Sequence, residues 1–123
     1  MAVSNWGARL TMTSDISRTF SGKILLREEV DEAQIRRDLD SLGLVGPIVG
    51  MANHWYIRKV GQETWMQIGG SHDKASSFPV QWNSDTVENG DYEVLEQINV
   101  FVKAGSQQKV LARTNTVRVT VEN

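Results

Sequence analysis

Hydrophobic and polar residues alternate with a period of two along most of this chain, which is the pattern of half-buried β-strands. Short turns separate the alternating segments, and Gly61-Gln62-Glu63 joins two of them as a hairpin. About seven strands result, so the sequence predicts an all-β fold such as a sandwich or a barrel. The alternating segments are 9–13, 20–27, 54–60, 64–68, 78–82, 92–102 and 110–121.

The segment 92–102 carries one charged residue on the side that should face the core. Glu96 has the same parity as the apolar inner positions of this strand. Because a carboxylate is costly to bury, we expect either that this end of the strand is solvated or that a β-bulge shifts the register there. The apolar inner positions are Tyr92, Val94, Ile98, Val100 and Val102.

The segment 31–42 has the period of a helix instead. Asp31 is a suitable N-cap, and Gln34 can complete a capping box with it. Gly43 is the residue expected just past a helix C-terminus. A helix of about three turns is not stable by itself, so we expect its apolar stripe to be buried on its own sheet or, alternatively, on another subunit. The stripe consists of Ile35, Leu39 and Leu42.

The acidic residues around this helix predict no catalytic pair. Glu28 and Glu29 are neighbours at the end of a strand, where adjacent side chains point to opposite faces. Asp38 and Asp40 are expected to face solvent on the helix. The glycine-rich stretch 43–52 that follows is expected to be a covered loop or an irregular edge strand.

Length and composition limit the class of protein. A chain of 123 residues with 40% hydrophobic residues is expected to form one domain, 1–123. The net charge of −2 and the lack of a basic cluster argue against nucleic-acid binding. The sequence has no cysteine, no signal peptide at its N-terminus, and no apolar run near the ~18 residues of a membrane helix. We therefore expect no disulfide and no membrane insertion.

The stretch W-N-S-D-T-V-E-N-G-D-Y at 82–92, followed by the terminal strand T-V-R-V-T-V-E-N at 116–123, resembles bacterial immunoglobulin-like domains. These domains often read W-D-T-T-x-x-x-N-G-x-Y and end on an alternating valine strand. The resemblance covers residues 54–123 and implies an antiparallel β-sandwich of about seven strands. The helix is then an insertion between the second and third strands, which departs from the family. The family implies a surface, filament, coat or modular protein, and so favours a location outside the cell or on a cell or virion surface.

The resemblance also implies a set of core positions. The family places a tryptophan beside a disulfide across the core, and a tyrosine two residues before the second cysteine. Aliphatic residues would replace the disulfide here, and the Tyr92 hydroxyl would bond to the backbone of 84–88. The implied core positions are Ile24, Leu26, Trp55, Tyr92 and Val94.

Two groups of side chains could bind a metal ion. His54, His72 and Asp73 could supply three ligands, but their spacing matches no zinc motif. The loop before Tyr92 is rich in oxygen atoms that could bind calcium, although aspartate and asparagine are also the usual residues of turns. Structural roles are favoured in both places, so we expect no metal ion and no cofactor. The calcium candidates are Asp85, Glu88 and Asp91.

The sequence contains no nucleophile elbow, no H-E-x-x-H and no phosphate loop, so we expect no enzymatic activity. We expect a structural or recognition module of an assembly, which contacts other copies or a larger chain through its N-terminal arm and its final strand, 116–122. One alternative is a carbohydrate-binding module that uses Trp6 and Trp65. A second is a small barrel enzyme or cyclase with a pocket along 43–52. The interface candidates are Trp6, Ile35, Leu39, Trp65, Val117 and Val119.

Overall fold

A computed structural model describes residues 12–14, 19–76 and 78–123, and this part of the chain is mostly β-structure with one α-helix. The predicted β-rich character is confirmed. The helix lies between the fourth and fifth strands and not between the second and third, because residues 19–30 form three short strands where one was predicted. Trp6 lies outside the described residues. The elements are β1 (Met12–Ser14), β2 (Thr19–Phe20), β3 (Lys23–Leu26), β4 (Glu28–Val30), α1 (Glu32–Ser41), β5 (Ile48–Lys59), β6 (Met66–Ser71), β7 (Val80–Asn83), β8 (Gly90–Ala104) and β9 (Gln107–Val121), with 3₁₀ turns at Lys74–Ser76 and Ser84–Thr86.

Five strands form the main sheet in the order β2-β9-β8-β5-β6. β2 pairs in parallel with the end of β9, and the other neighbours in this sheet are antiparallel. β8 and β9 pair without a register shift from Gly90 opposite Val121 to Ala104 opposite Gln107. Two short antiparallel pairs, β3 with β7 and β1 with β4, complete the described sheets. The predicted hairpin at 54–68 is present as β5 and β6.

The inner face of the main sheet is covered in two halves, because β3 and β7 are much shorter than β8 and β9. Four residues of strand span roughly 13 Å, whereas fifteen span roughly 50 Å. The half under β3 and β7 is one apolar cluster, and the half under α1 is another. The first cluster comprises Phe20, Leu26, Trp55, Ile57, Val80, Tyr92, Val94, Val119 and Val121. The second comprises Ile35, Leu39, Met51, Phe78, Ile98, Val100, Val102 and Leu111.

The ends of α1 are fixed by the signals read from the sequence. The Gln34 amide donates to the Asp31 carboxylate at 3.1 Å, as an N-cap requires. At the other end Gly43 has a φ of 73°, and the Leu44 amide donates to the Leu39 carbonyl at 2.9 Å in a Schellman motif. The helix therefore begins and ends as predicted, although the Gln34 side chain bonds to Asp38 instead of returning to Asp31.

The predicted apolar stripe is buried on the sheet of the same chain, as favoured, but with one change. Ile35 and Leu39 are fully buried in the second cluster, whereas Leu42 is 42% exposed. Leu42 is the C-cap residue, where the chain leaves the helix. Asp38 was expected to face solvent, and this is wrong, because its side chain is buried under the helix.

The glycine-rich stretch becomes a tight connector followed by an irregular edge strand. β5 starts at Ile48, pairs there with β8 alone, and has a register shift between Ile48 and Gly50. Gly46 packs against the neighbouring strand so closely that a Cβ atom would lie 2.1 Å from the Lys103 carbonyl oxygen. The edge-strand alternative is therefore the observed one.

Candidate functional site

The core positions implied by the resemblance come together in the first cluster. Leu26, Trp55, Tyr92 and Val94 are buried there, and the partly buried Ile24 packs against them. The Tyr92 hydroxyl donates to the Glu88 carbonyl oxygen at 2.7 Å, within the loop that was predicted to receive it. These residues stabilise the domain and carry no chemistry.

A band of polar side chains, which we call the polar seam, separates the two apolar clusters. It lies across the inner face of β5, β8 and β9, with Glu96 paired opposite Trp55 on one side and Asn115 on the other. Glu28 of β4 and Asp38 of α1 approach it from the covering layer. The seam consists of Glu28, Asp38, Asn53, Glu96, Arg113 and Asn115.

Two carboxyl groups meet in this seam. Glu28 is 1% exposed and Glu96 is fully buried, and the two carboxyl groups lie close enough for each to affect the pKa of the other. The Asn53 amide donates to Oε1 of Glu28 at 3.1 Å, and the Asn115 amide donates to Oε1 of Glu96 at 3.1 Å. Each Oε2 atom is buried without a hydrogen-bond partner among the described residues. A proton held between the two carboxyl groups would provide a donor for these atoms.

The environment holds protons on this pair. Burial raises the pKa of Glu28 to about 7, partly offset by its hydrogen bonds. Burial, followed by the charge of Glu28, raises the pKa of Glu96 to about 9. Two carboxylates in a dry interior repel each other, so the second proton is lost only at higher pH.

The expectation for Glu96 was wrong on both counts. The strand end is not solvated there, and β8 keeps its register with β9 through this position. Glu96 is buried in a regular strand, where the Asn115 amide donates to it and the Glu28 carboxyl group lies beside it. Neither partner is near Glu96 in the sequence, so the alternation of hydrophobic and polar residues along one strand could not identify them.

A second buried contact joins the helix to the sheet. The guanidinium of Arg113 lies 3.4 Å from Oδ2 of Asp38, and both side chains are almost fully buried. Gln34 donates to the other oxygen of Asp38 at 3.0 Å. Arg113 and Asp38 therefore form an ion pair in the seam. Beside it lies the pair of Glu28 and Glu96, which we call the acid pair and which is neutral or singly charged.

The metal candidates are placed apart. Among the described residues, no three His, Asp or Glu side chains are grouped as a metal site would require. Lys59 pairs with Glu88 at 3.2 Å, and Arg118 and Thr120 both donate to Asp91 at 3.1 Å. Arg118 holds the pKa of Asp91 below its usual range. Asp85 is exposed in a 3₁₀ turn, and His72 and Asp73 lie exposed in the loop after β6.

Several interface candidates lie inside the fold. Ile35 and Leu39 belong to the second apolar cluster and Val119 to the first, so these three are corrected from interface to core positions. Val117 is half-buried and packs against the first cluster. The end of the final strand is also covered, because β2 pairs with Thr120 and Val121.

Trp65 is half-buried, and the Arg58 guanidinium lies 4.2 Å from the centre of its ring. This cation–π contact covers one face of the ring. At most one face of Trp65 therefore remains for a ligand. Trp82, in contrast, is half-buried and meets Phe20 edge to face at 6.1 Å.

An exposed apolar surface lies where α1 joins β5. Val45 is 75% exposed, Val49 is 53% exposed, and Leu42 lies beside them in the chain. We call these three residues the connector surface. Sequence reasoning missed it, because neither alternative for the glycine-rich stretch, a covered loop or an irregular edge strand, singled out Val45 and Val49 as exposed.

The connector is held by hydrogen bonds. The Arg36 guanidinium donates to the carbonyl oxygens of Gly46 at 2.9 Å and Leu44 at 3.1 Å. The Lys103 amide donates to the Pro47 carbonyl oxygen at 3.1 Å. The connector surface is thus presented by an anchored backbone next to the turn between β8 and β9.

A surface pocket of about 330 Å³ lies at the opposite end of β5. It is lined by residues of the β5–β6 hairpin and of the loop before β8, among them Arg58, Lys59 and Glu88. The glycine-rich stretch 43–52 does not line it. The buried carboxyl pair does not open into it either, since the lining includes neither Glu28 nor Glu96.

No family model matches the chain, and no curated protein matches it significantly. Among the described residues, no helix is long and apolar enough to span a membrane, and α1 has only 10 residues.

Proposed function

We propose that this chain is an immunoglobulin-like β-sandwich that acts as a non-enzymatic structural module and makes protein–protein contacts. The fold part of the proposal is supported by the order of the strands. The order β9-β8-β5-β6 corresponds to G-F-C-C′ of a variable-type domain, and β3 with β7 corresponds to B with E. The bond from Tyr92 to Glu88 has the geometry of a tyrosine corner.

The proposed protein–protein contacts are supported mainly by the exposure of the connector surface. Single exposed apolar residues are ordinary, but here Val45 and Val49 are four residues apart in the chain, on a segment whose backbone is anchored by hydrogen bonds. Such a surface needs little ordering when it binds, which favours association. In immunoglobulin-like terms it lies on the B–C connection beside the F–G turn, the end at which variable domains bind their partners.

The proposed partner is a second copy of the chain or a larger chain of the same assembly. A carbohydrate-binding module has weaker support, since Arg58 covers one face of Trp65. A barrel enzyme would need an accessible carboxylate in a deep apolar pocket. The two carboxyl groups with strongly raised pKa values are sealed inside the core, which supports a structural role for them.

Sedimentation velocity over a range of micromolar concentrations tests this proposal. The average mass of the wild-type chain should rise with concentration, and Val45→Ser with Val49→Ser should abolish the rise. Val60→Ser is the matched control, because Val60 is 39% exposed at the other end of β5. A wild-type chain that stays monomeric at every concentration would contradict self-association and favour a module that recognises a different ligand.

A further inference from the structure

The layer that covers the second apolar cluster is joined to the main sheet through side chains. Within the described residues, β4 pairs with β1 and not with any strand of the five-stranded sheet. α1 follows β4 directly and packs on the sheet through Ile35 and Leu39. We call β4 and α1 together the cover. The cover is therefore held on the main sheet by side-chain contacts, both apolar and polar, and not by backbone pairing with that sheet.

In the part of the chain that the structure describes, polar contacts connect the cover to the sheet within the polar seam. Glu28 of β4 meets Glu96 of β8, and Asp38 of α1 meets Arg113 of β9. β5 contributes the uncharged Asn53, and β9 also contributes the uncharged Asn115. The titratable groups among the six residues of the seam are thus three carboxyl groups and one guanidinium.

The charges of these groups balance only when the acid pair is protonated. Arg113 lies 3.4 Å from Asp38, and it is the one positive side chain among the six residues of the seam, against three carboxyl groups. Each proton removed from the pair therefore leaves a negative charge in the apolar interior, at a cost that opening to water relieves. A second negative charge on the pair also makes the two carboxylates repel each other.

We propose that the Glu28–Glu96 pair is a proton-operated latch, which holds the cover on the main sheet while the pair is protonated and releases it when the protons are lost. Opening would separate α1 from the sheet and expose the second apolar cluster, while the first cluster, on the far side of the seam, stays packed. This device is separate from the connector surface and does not depend on the proposed function.

Proton linkage determines whether opening of the cover is favoured by higher or by lower pH. The closed form keeps protons that the open, hydrated form gives up near the ordinary pKa of glutamate, about 4.5. Raising the pH between that value and the raised values therefore favours opening, by up to about tenfold per pH unit for each proton released.

Amide hydrogen exchange on the intact chain at about pH 6 and about pH 9, corrected for intrinsic rates, tests the latch directly. Protection of the α1 amides, Glu32–Ser41, should fall by tenfold or more at the higher pH. Protection around Tyr92 to Val94 in β8 should change much less. Unchanged protection of α1, or an equal loss in both regions, would overturn the proposal.

Variants attribute the effect to the pair. The double variant Glu28→Gln with Glu96→Gln imitates the fully protonated pair, because two amides can hydrogen-bond to each other as two carboxylic acids do. Its α1 protection should no longer depend on pH. Glu63→Gln, in the exposed β5–β6 turn, should retain the wild-type behaviour. If the double variant fails to fold, Glu96→Gln alone should weaken the pH dependence, and a full wild-type response in that variant would contradict the latch.

Discussion

The Tyr92 hydroxyl donates a 2.7 Å hydrogen bond to the carbonyl oxygen of Glu88, which closes the loop between β7 and β8. The ring of Tyr92 is buried in the first apolar cluster, so the hydroxyl and the ring fix the loop and the core together. We expect Tyr92→Phe to lower the free energy of unfolding by about 1 kcal/mol, because a carbonyl oxygen loses its donor. Urea denaturation measures this. Tyr56→Phe, on the outer face of β5, should have a smaller effect, and an equal effect of both would contradict the role of the bond.

Trp55 is the largest side chain in the core and is fully buried. Trp55→Ala should therefore cost roughly 3–5 kcal/mol of stability, the usual range for a buried aromatic residue. Trp65→Ala is the control, since Trp65 is only half-buried, and it should cost distinctly less. Thermal unfolding followed by circular dichroism compares the two. A Trp55→Ala protein as stable as the wild type would refute the packing of the first cluster.

Features that depend on neighbouring residues could be predicted from the sequence. Asp31 and Gly43 mark the two ends of the helix through hydrogen bonds between residues close in the sequence. The Tyr92 hydroxyl donates to a carbonyl oxygen only four residues away. The polar seam could not be predicted, because Glu96 and Asp38 depend on partners from distant strands. The helical wheel placed Asp38 in solvent, and only the approach of Arg113 makes its burial tolerable.

Asn123 ties the end of the chain to the loop after β7. Its side-chain amide donates to the Ser84 carbonyl oxygen at 2.9 Å, and its Oδ1 accepts from the Gly22 amide at 3.3 Å. Asn123→Ala should reduce stability by about 1–2 kcal/mol, since these backbone groups lose their partners. Glu122→Ala, at an exposed neighbouring position, should change stability by less than about 0.5 kcal/mol. Equal midpoints for the two variants in urea would show that the Asn123 bonds contribute nothing.

The acid pair should make the protein less stable as the pH rises. Unfolded glutamates lose their protons near pH 4.5, whereas folded Glu28 and Glu96 hold theirs to about 7 and about 9. Unfolding between those values releases protons, so the free energy of unfolding should fall by up to about 1.4 kcal/mol per pH unit for each retained proton. Urea titrations at about pH 5, 7 and 9 measure the slope. The Glu28→Gln, Glu96→Gln double variant should flatten it, and a wild-type stability that rises over this range would contradict the protonated pair.

The central claim is that the module makes protein contacts through the connector surface, and an amide-resolved NMR dilution series tests it most directly. Spectra of the wild-type chain from low micromolar to millimolar concentration should show shifts or broadening at residues 42–49 and at the β8–β9 turn, with the β5–β6 hairpin unaffected. The same series on the Val45→Ser, Val49→Ser variant should show no change. Concentration-dependent changes centred on the hairpin or elsewhere, or none at any concentration, would contradict the account.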